Sequence, residues 1–340
     1  MRKVFVALSA LVVVFPATAS AQAWAEKMFA DKDSKENPLV HDFGSVPRGA
    51  HLLHRFKITN IYAVPMDIVS LKPSCNCGTA TATKTTLQPR ETGYIEVTVD
   101  TTRFQNPKKL IVAVTVGPQY VSTADLQLSF DPRNDVVFNP GQATLGVVPQ
   151  GKASEKRELD VEYAGALDWK VTEVVTNDLP IEASFKEWYS RAGTKSPKEV
   201  GYKISVALKA GAAPGPFKQA IYLKTNDPNC PLLPVLVEAT VQAPLTATPN
   251  KVEFGTATVG QPITKRVIVK ASKACKITAI DGQADGVTVD LPEGPKETHF
   301  LTIKWQPTAA GELKRSIVIK TDLDQEASAT VMLEGKAEAP

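Results

Sequence analysis

The 340 residues of this chain are enough for two or three domains, and their charge gives no case for nucleic acid or a membrane surface as partner. The 39 basic and 36 acidic side chains are interspersed, with a formal net charge of +3 and no basic block. The 25 prolines and 20 glycines interrupt the chain too often for long helices, whereas runs of Val, Ile, Thr and Leu alternate with polar residues. The composition therefore favours a β protein.

The chain begins with a predicted secretory signal peptide, residues 1–21. Two basic residues precede an apolar run at 4–15, and the small residues 19–21 form a site that a signal peptidase accepts. The apolar run is shorter than the roughly 20 residues that cross a bilayer, and no later run is long enough. Cleavage would leave Gln22 first, with no cysteine to receive a lipid. The sequence thus predicts a soluble periplasmic or extracellular protein without a membrane span.

A pattern that recurs three times predicts three copies of one domain. It reads proline, four residues, Phe or Leu, Gly, one residue, Val or Ala, two residues, Gly, and the copies begin at Pro38, Pro140 and Pro249. The apolar residue and the two glycines of each copy are Phe43, Gly44 and Gly49, then Leu145, Gly146 and Gly151, then Phe254, Gly255 and Gly260.

Each element of the pattern has a physical reason in a β-sheet. Proline cannot donate to a sheet ladder and belongs at the start of an edge strand, while the Phe or Leu fills the core. The first glycine allows a bend or bulge and the second supports a turn. Alternating apolar residues then mark the next strand of each copy at Phe56 and Ile58, Leu159 and Val161, and Val267 and Val269.

About seven short strands per copy, with turn signals every 8 to 12 residues or so, are typical of a β-sandwich. We therefore predict an all-β fold of three tandem immunoglobulin-like domains after the signal peptide. Short polar segments at 131–135 and 242–244 would separate the domains and give a semi-rigid rod. The predicted boundaries are an N-terminal linker at 22–37 and domains at 38–133, 134–243 and 244–340.

The cysteines Cys75, Cys77, Cys230 and Cys275 are redox or disulfide candidates, and three pairings are open. A bridge between Cys75 and Cys77 would enclose a single residue and be reduced more easily than a structural bridge. A bridge between Cys230 and Cys275 would have to cross the boundary between the second and third domains.

A soft-metal site is a second hypothesis for Cys75 and Cys77, because thiolate pairs favour Cu(I) or Zn. His41, His51 and His54 lie in the same domain. However, the odd separation of His51 and His54 on a strand sends their side chains to opposite faces. Solvated strand positions are therefore the simpler interpretation of these histidines.

The aromatic residues raise the hypothesis of a carbohydrate-binding array. Alternation places Trp169 and Trp305 in cores. Trp188 and Tyr189 instead fall within 185–202, a charged stretch that interrupts the strand rhythm and predicts an irregular loop. This pair is either a contact surface for a partner or packing of the loop onto its own sheet.

The first domain carries a series of landmarks at residues 42–46, 56–60, 65–68, 73–78 and 93–101. Through these landmarks it resembles a bacterial domain-of-unknown-function family, number fifteen seventy-three. The resemblance covers residues 38–130 and implies an exported immunoglobulin-like domain, similar in architecture to Hydin-type and major-sperm-protein-type interaction modules. The family signature is Cys-Gly-Cys-Thr, and this chain has Asn76 for its Gly and Gly78 for its Thr.

No nucleophile elbow, zinc-binding helix or phosphate loop is found, so neither catalysis nor a cofactor is predicted. The predicted function is that of an exported noncatalytic interaction or structural protein of the bacterial envelope. Its partner would be an unknown protein or envelope component. The alternatives are a redox or soft-metal protein using Cys75 and Cys77, and a carbohydrate-binding array.

Overall fold

The chain is described by a computed structural model, and in the part of the chain that the model describes the regular elements are β-strands apart from one short 3-10 helix at Trp24–Phe29. The predicted all-β class of tandem immunoglobulin-like sandwiches is therefore confirmed. The predicted signal peptide lies outside the described residues, which are 24–30, 37–117, 120–191, 198–323 and 327–339.

The first sandwich packs a three-stranded sheet, in the order β2-β6-β4, against strands β8-β7-β3-β5 of a larger sheet. Strand β1 joins this larger sheet by pairing with β8 in parallel. The strands are β1 Val40–Arg48, β2 His51–Thr59, β3 Met66–Pro73, β4 Gly78–Ala82, β5 Thr86–Leu87, β6 Thr92–Asp100, β7 Lys108–Val116 and β8 Ser122–Asn139.

The second sandwich packs a four-stranded sheet, in the order β11-β14-β15-β9, against the strands β12-β13-β10 and the end of β8. Strand β12 forms the edge of that second layer. The strands are β9 Gln142–Pro149, β10 Arg157–Gly165, β11 Val171–Val175, β12 Ile181–Arg191, β13 Lys198–Leu208, β14 Gly215–Thr225 and β15 Leu232–Gln242.

The third sandwich consists of two four-stranded sheets, in the orders β16-β18-β21-β20 and β17-β23-β22-β19. Its buried apolar side chains form a core of their own. The strands are β16 Leu245–Thr248, β17 Lys251–Thr258, β18 Ile263–Cys275, β19 Ile277–Asp281, β20 Val287–Val289, β21 Lys296–Trp305, β22 Gly311–Thr321 and β23 Ser328–Glu338.

The repeated sequence pattern forms the same bulged strand in each sandwich, β1, β9 and β17. Each of these strands pairs in parallel with the last strand of its domain, and the register shifts at the first glycine of the pattern. Leu145 and Phe254 are buried, whereas Phe43 is only partly buried against the core. All six pattern glycines have a positive φ, which suits a residue without Cβ, at Gly44, Gly49, Gly146, Gly151, Gly255 and Gly260.

Strand β8 continues without a break from the first sandwich into the second. Its first half pairs with β7 as far as Phe130, and Val136–Asn139 pairs with β10. The segment 131–135, which the sequence predicts as a connection between domains, therefore lies inside a strand. The buried apolar residues of both sandwiches form one cluster, so the first two domains share a core.

Polar contacts reinforce this junction between the first and second sandwiches. The Arg133 guanidinium bonds to the Asp135 carboxylate through Nε, with an Nε–Oδ1 distance of 2.8 Å, and also to the Asp227 carboxylate. Asp227 is only 1% exposed. From the first domain, Arg55 donates to the backbone oxygen of Lys218 and to Gln219 Oε1, the latter at 3.1 Å.

The backbones also approach closely at this junction. The N–H of His51 donates to the Gly141 oxygen at 3.0 Å. A Cβ built on Gly49 would lie 2.6 Å from the Phe138 oxygen, and one on Gly141 would lie 1.9 Å from the Gly49 oxygen. Both glycines are therefore needed for the two domains to meet at this distance.

The segment at 22–37, predicted as a linker, is packed on the first sandwich where the structure describes it. The 3-10 helix Trp24–Phe29 buries Ala25, Met28 and Phe29 in the shared core. The Trp24 ring meets Tyr62 edge to face, with ring centres 5.4 Å apart. The helix contacts β2 and β8, and no spacing pattern in the sequence predicts this packing.

Candidate interaction site

The stretch around Trp188 and Tyr189 is a hairpin rather than the irregular loop expected from the sequence. Strands β12 and β13 pair from Ile181 with Leu208 to Arg191 with Glu199, and a bulge falls between Glu187 and Tyr189. The sequence of β12 does not alternate between apolar and polar residues, because residues towards its end are exposed on both faces of the sheet. Residues 192–197 lie outside the described part of the chain.

The two aromatic rings cover Gly201 on the outward face of the sheet. Tyr189 pairs across the strands with Gly201, and a Cβ on Gly201 would lie 2.2 Å from Tyr189 Cε1 and 2.5 Å from Trp188 Nε1. The rings of Trp188 and Tyr189 meet edge to face with centres 4.4 Å apart. Glycine is therefore required at 201, and the sequence offers no sign of this because the contact crosses strands. We call Trp188, Tyr189 and Gly201 the aromatic platform.

Trp188 keeps 48% of its surface exposed although it covers Gly201. The ammonium group of Lys203 lies 5.3 Å from the centre of its ring, and the Arg191 guanidinium lies 5.4 Å from that of Tyr189. Lys203 also donates to Asp160 Oδ1 at 2.9 Å. An apolar ring face is thus framed by charged groups, which is the composition of a contact surface rather than of a core.

Charged groups around the platform shift the pKa values of Tyr189 and Lys203. Partial burial, followed by the carboxylates of Glu162 and Glu199, raises the pKa of the Tyr189 phenol above its ordinary value. The hydrogen bond to Asp160 raises the pKa of Lys203. At neutral pH the platform therefore carries a neutral phenol beside a charged lysine.

The Cys75 and Cys77 sulfurs are bonded to each other in the turn between β3 and β4, with Cα atoms 5.3 Å apart. Within the described ranges no cluster of three or more His, Cys, Asp or Glu residues is arranged to hold a metal ion. The metal hypothesis for this pair therefore has no third ligand of these types in the described part of the chain.

Cys230 and Cys275 are buried, unpaired thiols, so the bridge considered between them is not formed. Cys230 Sγ donates to the Ser45 oxygen of the first sandwich at 3.0 Å, away from the third. Cys275 lies in the third core, where its backbone oxygen meets His299 Nε2 at 2.8 Å. Burial raises the pKa of both thiols, which keeps them protonated and unreactive.

The three histidines of the first domain do not converge on the cysteines. His41 and His54 stack with ring centres 3.7 Å apart, and burial followed by the neighbouring His41 lowers the pKa of His54 to about 4. His51 lies at the domain junction, with Nδ1 2.8 Å from Gln142 Oε1. The sequence predicts solvated strand positions for these histidines, but the stacked rings of His41 and His54 are in packed contact.

Among the residues described, no helix has the length and apolar character of a membrane span.

Comparison with solved structures finds several proteins at low sequence identity. The Vibrio cholerae VesB protease is 19% identical over 27% of this chain and 30% of its own, with a TM-score of 0.25. Zebrafish RET cadherin-like domains 1 to 4 are 11% identical over 79% of this chain and 66% of their own, with a TM-score of 0.22. Titin domains I67–I69 are 8% identical over 88% and 96%, with a TM-score of 0.21.

These identities and TM-scores carry no argument about what the chain binds, and the chain spans less than a third of the protease. No curated protein is significantly similar to this chain. One family model matches, over residues 35–127, and that range contains most of the first sandwich with its Cys75–Cys77 turn. Its description is "protein of unknown function (DUF1573)", so the predicted resemblance to this family is confirmed for the first sandwich.

Proposed function

We propose that this chain is an exported, noncatalytic interaction protein of the cell envelope that binds a protein partner or envelope component through the aromatic platform. The observation that carries the proposal is the exposed Trp188 ring, held in place over Gly201 at the edge of the sheet. Tryptophan, tyrosine and arginine are enriched among the few residues that dominate binding energy at interfaces. The proposal assigns the platform the role of anchor.

The fold supports this role because the platform stands on a rigid base. Strand β8 and the shared core join the first two sandwiches, so the platform moves with both of them. Strand β12 is also the edge of its sheet, and its outer backbone groups could pair with an extended segment of a partner. An anchor ring beside an available edge suits binding by strand addition.

Export is the second part of the proposal, and its support comes from the first residues of the sequence. A basic start, an apolar run at 4–15 and small residues at 19–21 are the parts of a signal peptide. Production of the full chain with a C-terminal tag tests this step. We expect the tagged protein in the periplasmic or extracellular fraction with Gln22 as its first residue, and uncleaved protein in the cytosol would contradict export.

A glycan is the second candidate ligand, favoured by the polar groups around the Trp188 ring. Sugar rings stack on exposed aromatic faces while their hydroxyls need hydrogen-bonding groups at the rim. The Asp160 carboxylate and the Lys203 ammonium lie on the same face as the platform and could supply these bonds. Binding of an envelope polysaccharide, rather than a protein, would assign the ligand to this class.

The platform is tested by comparing the binding of envelope components to the tagged protein and to the Trp188→Ala variant. Loss of a hot-spot tryptophan costs about 2 kcal/mol or more, so we expect binding to weaken by roughly 30-fold. The Gly201→Ala variant should weaken binding similarly, since the added Cβ displaces both rings without removing them.

Phe300→Ala is the matched control for this test, because Phe300 is a 69% exposed aromatic residue on the third sandwich. We expect this variant to bind as the unmodified protein does. Equal binding by the unmodified protein and the Trp188→Ala variant, or an equal loss in the Phe300→Ala variant, would show that the platform is not the anchor.

A further inference from the structure

The turn that holds Cys75 and Cys77 is fixed by backbone contacts that do not involve the sulfur–sulfur bond. The N–H of Ser74 donates to the Ile111 oxygen at 2.8 Å, and Ser74 Oγ accepts the Ile111 N–H at 3.1 Å. On the other side, the Asp100 N–H donates to the Cys77 oxygen at 3.0 Å. Strands on both sides of the turn are therefore anchored to β7 and β6 whether or not the sulfurs are bonded.

The disulfide itself adds little to the stability of the fold. A crosslink stabilises mainly by restricting the unfolded chain, and this effect grows with the length of the closed loop. Here the bonded residues are separated by two positions, so the loop is close to the shortest that a disulfide can close. A bond that does so little for stability, in a turn held by other contacts, can open and close without loss of the fold.

The two sulfurs differ in their exposure and in their backbone contacts. Cys75 is exposed, while Cys77 is partly buried. The N–H of Cys77 points at Cys75 Sγ, with an N–Sγ distance of 3.4 Å. An incoming thiolate therefore reaches Cys75 first, and a thiolate formed on Cys75 would accept a hydrogen bond from the Cys77 backbone.

We propose that Cys75–Cys77 is a thiol–disulfide exchange site that accepts electrons from a dithiol on a partner protein. The thiolate of one partner cysteine attacks Cys75 Sγ, the Cys75–Cys77 bond breaks, and Cys77 leaves as a thiolate that takes up a proton. The second partner cysteine loses its proton and attacks the partner's own sulfur in the mixed disulfide, and Cys75 leaves as a thiolate that accepts a hydrogen bond from the Cys77 N–H and then takes up a proton. The partner dithiol loses two electrons and two protons, and Cys75 and Cys77 gain them.

This site is separate from the aromatic platform, which lies on the second sandwich, so the two proposals can fail independently. The unreactive Cys230 and Cys275 serve as an internal reference. Alkylation after unfolding labels these two thiols in every state, and labels Cys75 and Cys77 only when their bond is open.

The first test equilibrates the protein with buffers of reduced and oxidised glutathione and counts alkylated cysteines by mass. We expect a shift from two labels to four in buffers that leave ordinary structural disulfides closed, because exposed labile disulfides are reduced more readily. We also expect the thermal midpoint of the transition that includes the first sandwich to change by less than about 2 °C on reduction. A pair that remains closed, or a fall of more than about 5 °C on reduction, would overturn the proposal by showing a structural bond.

The second test assigns the attacked sulfur and the direction of electron transfer. The Cys77→Ser variant, which keeps the exposed thiol, should form a mixed disulfide with oxidised glutathione at least about 10-fold faster than Cys75→Ser. A synthetic peptide with two cysteines should become oxidised, with one peptide disulfide per protein molecule, and the double variant Cys75→Ser, Cys77→Ser should oxidise none. Phe300→Ala, at an exposed position on the third sandwich outside both proposed sites, should oxidise as much peptide as the unmodified protein. No oxidation of the peptide, or equal oxidation by the double variant, would refute the proposal.

Discussion

Replacing Arg133 by alanine is expected to lower the free energy of unfolding of the first two domains by about 3 kcal/mol at neutral pH. Arg133 neutralises Asp227, whose side chain is almost fully buried, and it also bonds to Asp135. Removal of the guanidinium leaves a buried carboxylate without its ionic partner. Denaturant unfolding of the Arg133→Ala variant and the unmodified protein measures the difference.

The effect of Arg133→Ala should depend on pH in a defined direction. Burial disfavours the charged form of Asp227, but hydrogen bonds from Arg133 and from the Asn229 N–H outweigh it, so the pKa of Asp227 is lowered from its ordinary value of 3.8. A lowered pKa in the folded state contributes stability that is complete above that ordinary value and is lost as pH falls through the folded-state pKa. The unfolded chains of the two proteins titrate alike, and burial without Arg133 raises the pKa of Asp227 in the variant, so the difference in unfolding free energy should shrink as pH falls through that raised pKa and be smallest below the folded-state pKa of the unmodified protein.

The double variant Arg133→Ala, Asp227→Asn controls for the buried charge. Because the amide carries no charge to be left unpaired, the double variant should recover part of the stability that Arg133→Ala loses. A loss below about 1 kcal/mol for Arg133→Ala at pH 7, independent of pH, would mean that this pair does not stabilise the junction.

Gly49→Ala is expected to be far more destabilising than Gly260→Ala, although the two glycines occupy the same position of the repeat. Their φ values are nearly equal, +87° and +84°, so both variants pay the cost of a positive φ, about 1 kcal/mol. A Cβ on Gly49 would lie 2.6 Å from the Phe138 oxygen, whereas a Cβ on Gly260 has no atom within 4 Å. The loss of unfolding free energy should therefore be larger in Gly49→Ala than in Gly260→Ala by more than about 2 kcal/mol, and this difference measures the close contact at the domain junction.

Unfolding of both glycine variants by denaturant, in the full chain, measures this difference. The Gly49→Ala variant should also lose the cooperativity between the first two domains, because the backbone of β8 must move away from the turn. Equal losses of stability in the two variants would show that the contact between Gly49 and Phe138 is not tight in solution.

The repeated strand was predictable from the sequence because its requirements are local. A glycine with positive φ, such as Gly44 or Gly146, needs no tertiary partner to explain it, so the spacing of glycines alone predicts the bulge and the turn. The alternation at Phe56 and Ile58 likewise reports burial on one face of a strand. Fold class and the family resemblance depend on such signals.

The junction was not predictable, because its contacts join residues far apart in the chain. The segment around Pro132 and Arg133 has the polar, proline-containing composition of a connection, yet it is strand because Arg133 is satisfied by Asp227, 94 residues later. Only part of the aromatic platform is recognisable in the sequence, for the same reason. The sequence marks Trp188 and Tyr189 as either a contact surface or packing of a loop onto its own sheet, but Gly201, which lets them lie on the sheet, is recognisable only once the strands are paired.

The shared core and the continuous strand make the first two sandwiches one cooperative unit and leave the third sandwich as another. Differential scanning calorimetry of the chain from Gln22 to its end measures this cooperativity directly. We predict two transitions, with the larger assigned to the joined domains because Arg133→Ala lowers its temperature and leaves the smaller unchanged. Three separate transitions, or an equal effect of Arg133→Ala on every transition, would contradict the shared core and the continuous strand on which the proposed role of the platform depends.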